Sequence, residues 1–225
     1  MSAVFPHSTD ARAGASAARK DSSALYGTWL TLTPQGVLHA FGTPEPDAQQ
    51  QALQALLSQP RAISKAEWGG TQLANADLPQ CLKNQWVQSL AHAVNGPDTR
   101  LSDFIRHVIA PISGTRRAVL ASDSGFCLDR IGIAQEEADA VSAAAADFSE
   151  YARRQSRRGW HAANRYVAFY DDPMLLMPAW TFVPFWVAGA GYWLIIAGEP
   201  LLNNLALVEL VWGICLAGNR FRSEF

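Results

Sequence analysis

The stretch "RAVLASDSGFCLDRIG" (Arg117–Gly132) decides the fold. The runs "RAVLAS" and "FCLDRIG" alternate apolar and polar residues at the period of a strand. The "DSG" between them supplies a tight turn, with Gly125 available for a positive φ angle. A β-hairpin is therefore expected here. Upstream, Leu101, Phe104, Ile105, Val108, Ile109 and Ile112 recur at helical spacing, and Pro111 and Gly114 mark the end of an amphipathic helix. Downstream, an alanine-rich segment from Ala134 to Arg158 predicts a long second helix.

That long helix has a seam. Ala134, Ala138, Val141, Ala145, Phe148 and Ala152 are spaced 4, 3, 4, 3, 4, which is a heptad pattern. Small side chains allow close approach, so Ala138, Val141, Ala145, Phe148 and Ala152 are expected to meet the same helix of a second copy. Another face of the helix packs on its own sheet. Glu136, Glu137 and Asp139 sit at its start and Arg153, Arg154, Arg157 and Arg158 at its end, where the helix dipole favours each sign. The charged surface with Glu150, Arg153, Arg154 and Arg157 is the candidate contact for a further partner.

The C-terminal third raises a choice. "NRYVAFYDD" (Asn164–Asp172) reads as a strand ending in a turn. From Pro173 to Gly198 the chain then runs 26 residues without a charge, long enough to cross a bilayer as a helix. Pro173, Pro178, Pro184, Gly189, Gly191 and Gly198 break it into strand-sized runs. "MLLMPAW" and "GYWLIIAG" are expected as buried strands, with "TFVPFWVAGA" between them unassigned. Membrane association through 173–198 is the alternative. A closing helix follows, with Pro200 near its start, Leu201, Leu205, Val208, Leu210, Val211 and Leu216 along it, and Gly218 near its end.

Before the hairpin, residues 1–24 are rich in Ala and Ser and predict a flexible tail. Residues 25–96 predict a small α+β extension. Two apolar runs flank "TPQG" between Tyr26 and Gly42, which suggests a second hairpin. A helix opens at Pro46-Asp47 and closes at Pro60 with Leu53, Leu56 and Leu57 as its apolar stripe, and a second helix is expected in "DLPQCLKNQWVQSLAHAVNG" (Asp77–Gly96). Two helices beside a hairpin allow a winged helix, and a DNA-binding regulator is the third functional class. Gln72–Val94 carries a single Lys and no Arg, so nucleic acid is not the expected partner. "NGPD" (Asn95–Asp98) is the expected boundary, leaving 97–225 as the main domain.

Composition excludes more than it assigns. The formal charge of −2 offers nucleic acid no basic face, and the 49% apolar content, with eight Trp and ten Phe, supplies a sizeable core. Cys81, Cys127 and Cys215 are odd in number, without a CxxC pair, as in a reducing compartment. With no apolar signal core near Met1, the expected location is the cytoplasm. His7, His39, His92, His107 and His161 are scattered, without the i, i+4 pairing of a helical zinc site. There is no GxxxxGK[ST] or GxGxxG, Asp171-Asp172 precede a proline as turn residues, and Ser124 lacks a strand-to-helix elbow. No enzyme activity, cofactor or metal is expected.

The order of elements resembles the roadblock/LC7 family over Thr99–Phe221. The resemblance rests on "LSDFIRHVIAPISGTRRAVLASDSGFCLDRIG" (Leu101–Gly132), the alanine-rich helix after it, then three strands and a closing helix. It implies an α+β fold with an antiparallel five-stranded sheet between helices. It also implies a homodimer formed through the long helix and the adjacent strand edge. Proteins of this family act as scaffolds, motor light chains or regulators of small Ras-like GTPases. The resemblance therefore implies a non-enzymatic dimeric scaffold or regulator with a small GTPase as partner.

Overall fold

A computed structural model describes residues 29–68, 76–98, 101–160 and 166–217, the side chains of 101 and 102 excepted. The tail expected over 1–24 and the helix end expected at Gly218 lie outside the described residues. Within them the chain is α+β with two antiparallel sheets.

The larger sheet has the order β5-β4-β8-β7-β6. Its strands are β4 (Ala118–Ser122), β5 (Cys127–Ile131), β6 (Val167–Phe169), β7 (Trp180–Val187) and β8 (Ala190–Ala197). The β4–β5 hairpin forms as the sequence predicts, and Gly125 takes φ +91° at its turn, against Ala146 and Ser142 of the long helix. The register slips between Leu120 and Ala121, a bulge that separates Asp129 from Cys127 on β5. Strand β8 lies between β4 and β7 and is buried from Gly191 to Ala197. Such a strand reads as a continuous apolar run, because both of its faces are covered.

Alternation divides the core into two layers. Val119, Ala121, Phe182, Trp193 and Ile195 face the long helix α6 (Gln135–Ser156). Ala118, Leu120, Val183, Phe185, Leu194 and Ile196 face the opposite way, onto α5 (Leu101–Ile109) and α7 (Leu205–Ala217). Ile105, Val108, Ile109 and Ile112 of the predicted amphipathic stripe are all buried there. The five-stranded antiparallel sheet between helices is thus present.

The uncharged segment resolves into strands, with a different division from the expected one. "MLLMPAW" does not form a strand; "WTFVPFWV" does. Pro184 is accommodated because β6 pairs only with Trp180–Phe182 of β7. Beyond that point the N–H side of β7 turns to the N-terminal unit, where Trp186 N–H donates to Phe41 O at 2.9 Å. Pro184, two residues before it, has no N–H to offer in that direction and loses nothing. Among the described residues no helix is long and apolar enough to cross a membrane.

The N-terminal unit holds β1 (Trp29–Leu32), α1 (Pro34–Ala40), α2 (Ala48–Ala55), β2 (Ile63–Ser64), α3 (Lys65–Trp68), α4 (Leu78–Lys83) and β3 (Val87–Leu90), with sheet order β2-β1-β3. Two expectations are corrected here. "TPQG" is a helix start, not a hairpin turn: Thr33 caps α1 by accepting from Gly36 N–H at 2.9 Å, with Pro34 in the first turn. The second helix stops at Lys83, Gln85 takes φ +58°, and the chain continues as β3 paired with β1, so the helix does not reach Gly96. The first helix behaves as read, with Asp47 and Gln50 closing a capping box and Leu53, Leu56 and Leu57 buried. The unit shares one core with the main sheet: Phe41, Leu53 and Leu57 join Phe185, Val211 and Trp212, and Trp212 Nε1–H donates to Gln59 O at 2.8 Å.

Two outcomes follow from this packing. Gly36 lies so close to the Trp86 carbonyl that a Cβ would overlap it. Gly36→Ala should cost about 3 kcal/mol in urea unfolding, by forcing α1 off β3. His39 stacks on Trp86 with ring centroids 3.8 Å apart, and burial lowers its pKa below the usual 6.5, partly opposed by Asp47. Because the unfolded imidazole then binds protons more readily, stability should fall as pH drops through 6.5. His39→Phe should flatten that part of a stability–pH profile.

Candidate functional site: the open β6 edge

Strand β6 has three residues and closes one side of the sheet, its outer edge unpaired among the described residues. It is held by aromatic packing. Phe169 lies 5.8 Å from Phe148 of α6 and 5.9 Å from Phe182 of β7, and Phe148 and Phe182 reach Trp193 behind them. After β6 the chain makes a loop at Tyr170–Pro178. Asp172 fixes it by accepting from Met174 N–H at 2.9 Å and Leu176 N–H at 3.2 Å, while Leu175 takes φ +55°. Ala179 N–H returns to Phe169 O and closes the loop at its base.

This loop displays four apolar side chains in a row. Met174, Leu175, Leu176 and Met177 are 72%, 64%, 79% and 51% exposed. Before them in the chain, Tyr151, Trp160, Tyr166, Phe169 and Tyr170 are also exposed. These nine, out of thirteen large exposed apolar residues among the described residues, fall between Tyr151 and Met177. An edge strand beside such a surface combines two features common at interaction sites, free backbone groups and apolar neighbours. The sequence hid it, because "MLLM" carries the composition of a core strand. The signal lay in "DDPMLLMP", where two prolines enclose too few residues for a strand to pair.

The face of α6 assigned to a second copy proves to be largely internal. Ala138 and Ala145 are fully buried under β4, β7 and β8 of their own chain, and Ala152 is nearly fully buried. The buried stripe is Ala138, Ser142, Ala145, Ser149, Ala152 and Gln155, so Ser142 and Ser149 stand where Val141 and Phe148 were expected. The serines tolerate burial because each hydroxyl donates to a carbonyl one turn back, Ser142 to Ala138 and Ser149 to Ala145. Ser149 Oγ also accepts from Trp193 Nε1–H at 2.8 Å. Val141 and Phe148 lie on the helix flank above β6, half-buried, and retain surface for a partner.

The charged contact set divides similarly. Arg153 is engaged within the chain, with Asp123 at 3.1 Å and with Glu150. Arg154 and Arg157 are exposed and in no ion pair among the described residues. At the helix end Gly159 takes φ +86°, with Gly159 N–H donating to Ser156 O and Trp160 N–H to Gln155 O. That is a Schellman closure, and it presents Trp160 to solvent beside the arginines.

Elsewhere the chemistry is quiet. All three thiols are held protonated: burial raises Cys81 and Cys127, with help from Asp77 and Asp139, and pushes Cys215 up to about 12. A reactive cysteine needs the opposite shift. Among the described residues no three His, Cys, Asp or Glu side chains are grouped to hold a metal. An open cavity of about 390 Å³ runs along β5, lined by Arg106, Cys127–Gly132 and Gln135. Arg106 meets Asp129 there at 3.4 Å.

No protein-family model matches the chain, and no curated protein is similar to it. Among solved structures, a Roadblock/LC7 domain from Streptomyces avermitilis is similar at 15% identity and TM-score 0.36, over 56% of this chain and 100% of that one. That likeness is weak and partial.

The burial of Ala145 gives a sharp expectation. Ala145→Glu should abolish the cooperative thermal transition, because the carboxylate would enter the layer beneath α6 without a partner. A folded monomer with native unfolding would contradict this placement.

Proposed function

We propose that this chain is a non-enzymatic scaffold or regulator that works as a homodimer and binds a small Ras-like GTPase. The concentration of exposed apolar side chains around the unpaired β6 edge carries the dimer. Two copies pair β6 against β6, and the flank with Val141, Phe148 and Tyr151 packs beside the joined edges. The interface expected at the alanine seam thereby moves to the neighbouring flank, because the seam faces the chain's own sheet. The absence of enzyme activity is supported by the protonated thiols and by a sequence without a phosphate-binding loop.

The GTPase rests on the resemblance of the element order to roadblock/LC7 proteins. The outward surface of α6, with Glu150 and Arg154 exposed, is the proposed contact. The cytoplasm is the proposed location.

Sedimentation at micromolar concentration should give a dimer. The pair Tyr166→Lys and Phe169→Lys should give a folded monomer by the same measurement and by circular dichroism. A native monomer would sink the dimer; a dimer that survives both changes would sink this edge as its interface. Purified protein should not turn over GTP. Arg154→Glu should weaken capture of the GTPase while the dimer persists, and unchanged capture would remove α6 as the contact.

A further inference from the structure

The arginine-rich end of α6 and the apolar loop after β6 lie at opposite ends of the same edge. Arg153 is tied to Asp123 at the turn end of β4, whereas Phe169 pairs with Trp180, which stands opposite Ala197 at the other end of the sheet. Within one copy the two features cannot meet. If two copies pair antiparallel through β6, the Phe169 end of one strand lies against the Val167 end of the other. The loop of each copy then extends toward the end of α6 of the second copy.

From this juxtaposition we infer a reciprocal clasp, resting on the homodimer proposed above. The loop of each copy, Asp171 with Met174–Met177, docks on Arg157, Arg158 and Trp160 of the second copy. Three observations support it. The charges complement: among the described residues Asp171, Arg157 and Arg158 are exposed and in no ion pair. The apolar surfaces complement as well, since Leu176 is 79% exposed and Trp160 64% exposed. Area supplies the third. A three-residue strand is about 10 Å long and a sheet edge about 10 Å thick, giving a footprint of about 100 Å². A stable interface takes about 800 Å² from each partner, so the β6 edge alone is several times too small. The loop is also held in shape before binding by Asp172, which limits the ordering cost on docking.

Charge exchange between copies tests the clasp. Asp171→Lys leaves the loop-shaping Asp172 in place, and Arg157→Glu with Arg158→Glu leaves Arg153 in place. Each variant alone should dimerise about tenfold more weakly than the native chain, because both symmetric contacts become repulsive. Mixed, the two should form a heterodimer of near-native affinity, since both contacts are again attractive. Leu176→Asp should weaken the dimer without altering the thermal transition of the monomer. A native chain found monomeric overturns both the dimer and the clasp. If the native chain is dimeric and Tyr166→Lys with Phe169→Lys separates it, but the charge variants keep native affinity or show no preference for each other, the clasp alone is overturned.

Discussion

The close seating of α6 on the sheet is the constraint from which most other features follow. Alanine and serine along its buried stripe bring the helix backbone near β4 and β8, and the turn glycine Gly125 fits against Ala146 and Ser142. The helix crosses the sheet so that Glu137 pairs with Arg117 at one end and Arg153 with Asp123 at the other, at 2.9 and 3.1 Å. These exposed pairs contribute little energy. They do report the direction of the helix, and that direction separates its arginine end from the apolar loop. With the alanines turned inward, Val141, Phe148 and Tyr151 are left above β6.

The opposite face of the sheet shows why the N-terminal unit accompanies this domain. Helix α7 is buried on nearly every side, with Leu207, Leu210, Val211, Trp212 and Ile214 all enclosed. A helix apolar all round cannot rest on a sheet alone with its outer side in water. Phe41, Leu53 and Leu57 cover it, and the Trp212 indole finds its acceptor in Gln59. The same unit takes the part of the β7 edge that β6 leaves free, through Trp186 and Phe41. On this side of the sheet the edge that stays open among the described residues is therefore short and leads into the exposed apolar loop.

The main domain was legible where pattern and period agree. The hairpin around Gly125, the amphipathic α5 and the length of α6 followed from alternation, spacing and turn chemistry. Reading failed where one residue type has two uses. Pro34 and Gly36 in "TPQG" suit a turn as well as a capped helix, and the choice was made by Thr33, whose hydroxyl caps α1 and also donates to Gln85 O. Small residues on α6 mark close approach without saying to what, so the seam fitted a second copy as well as the chain's own sheet. The buried serines were illegible because their local hydrogen bonds let polar residues pass as small apolar ones. The MLLM loop has a core strand's composition and a surface loop's place, because exposure is not a property of composition.

The central claim is that the β6 edge is covered by a second copy. Hydrogen–deuterium exchange at the amide of Ala168, which faces outward while Val167 and Phe169 face β7, measured across a dilution series, tests it most directly. An outward amide of an unpaired strand exchanges freely, whereas one bonded across an interface exchanges only when the copies separate. The account predicts protection in β6 and the following loop that grows with protein concentration, while β8 stays protected throughout. Exchange at Ala168 that does not change with concentration would contradict it.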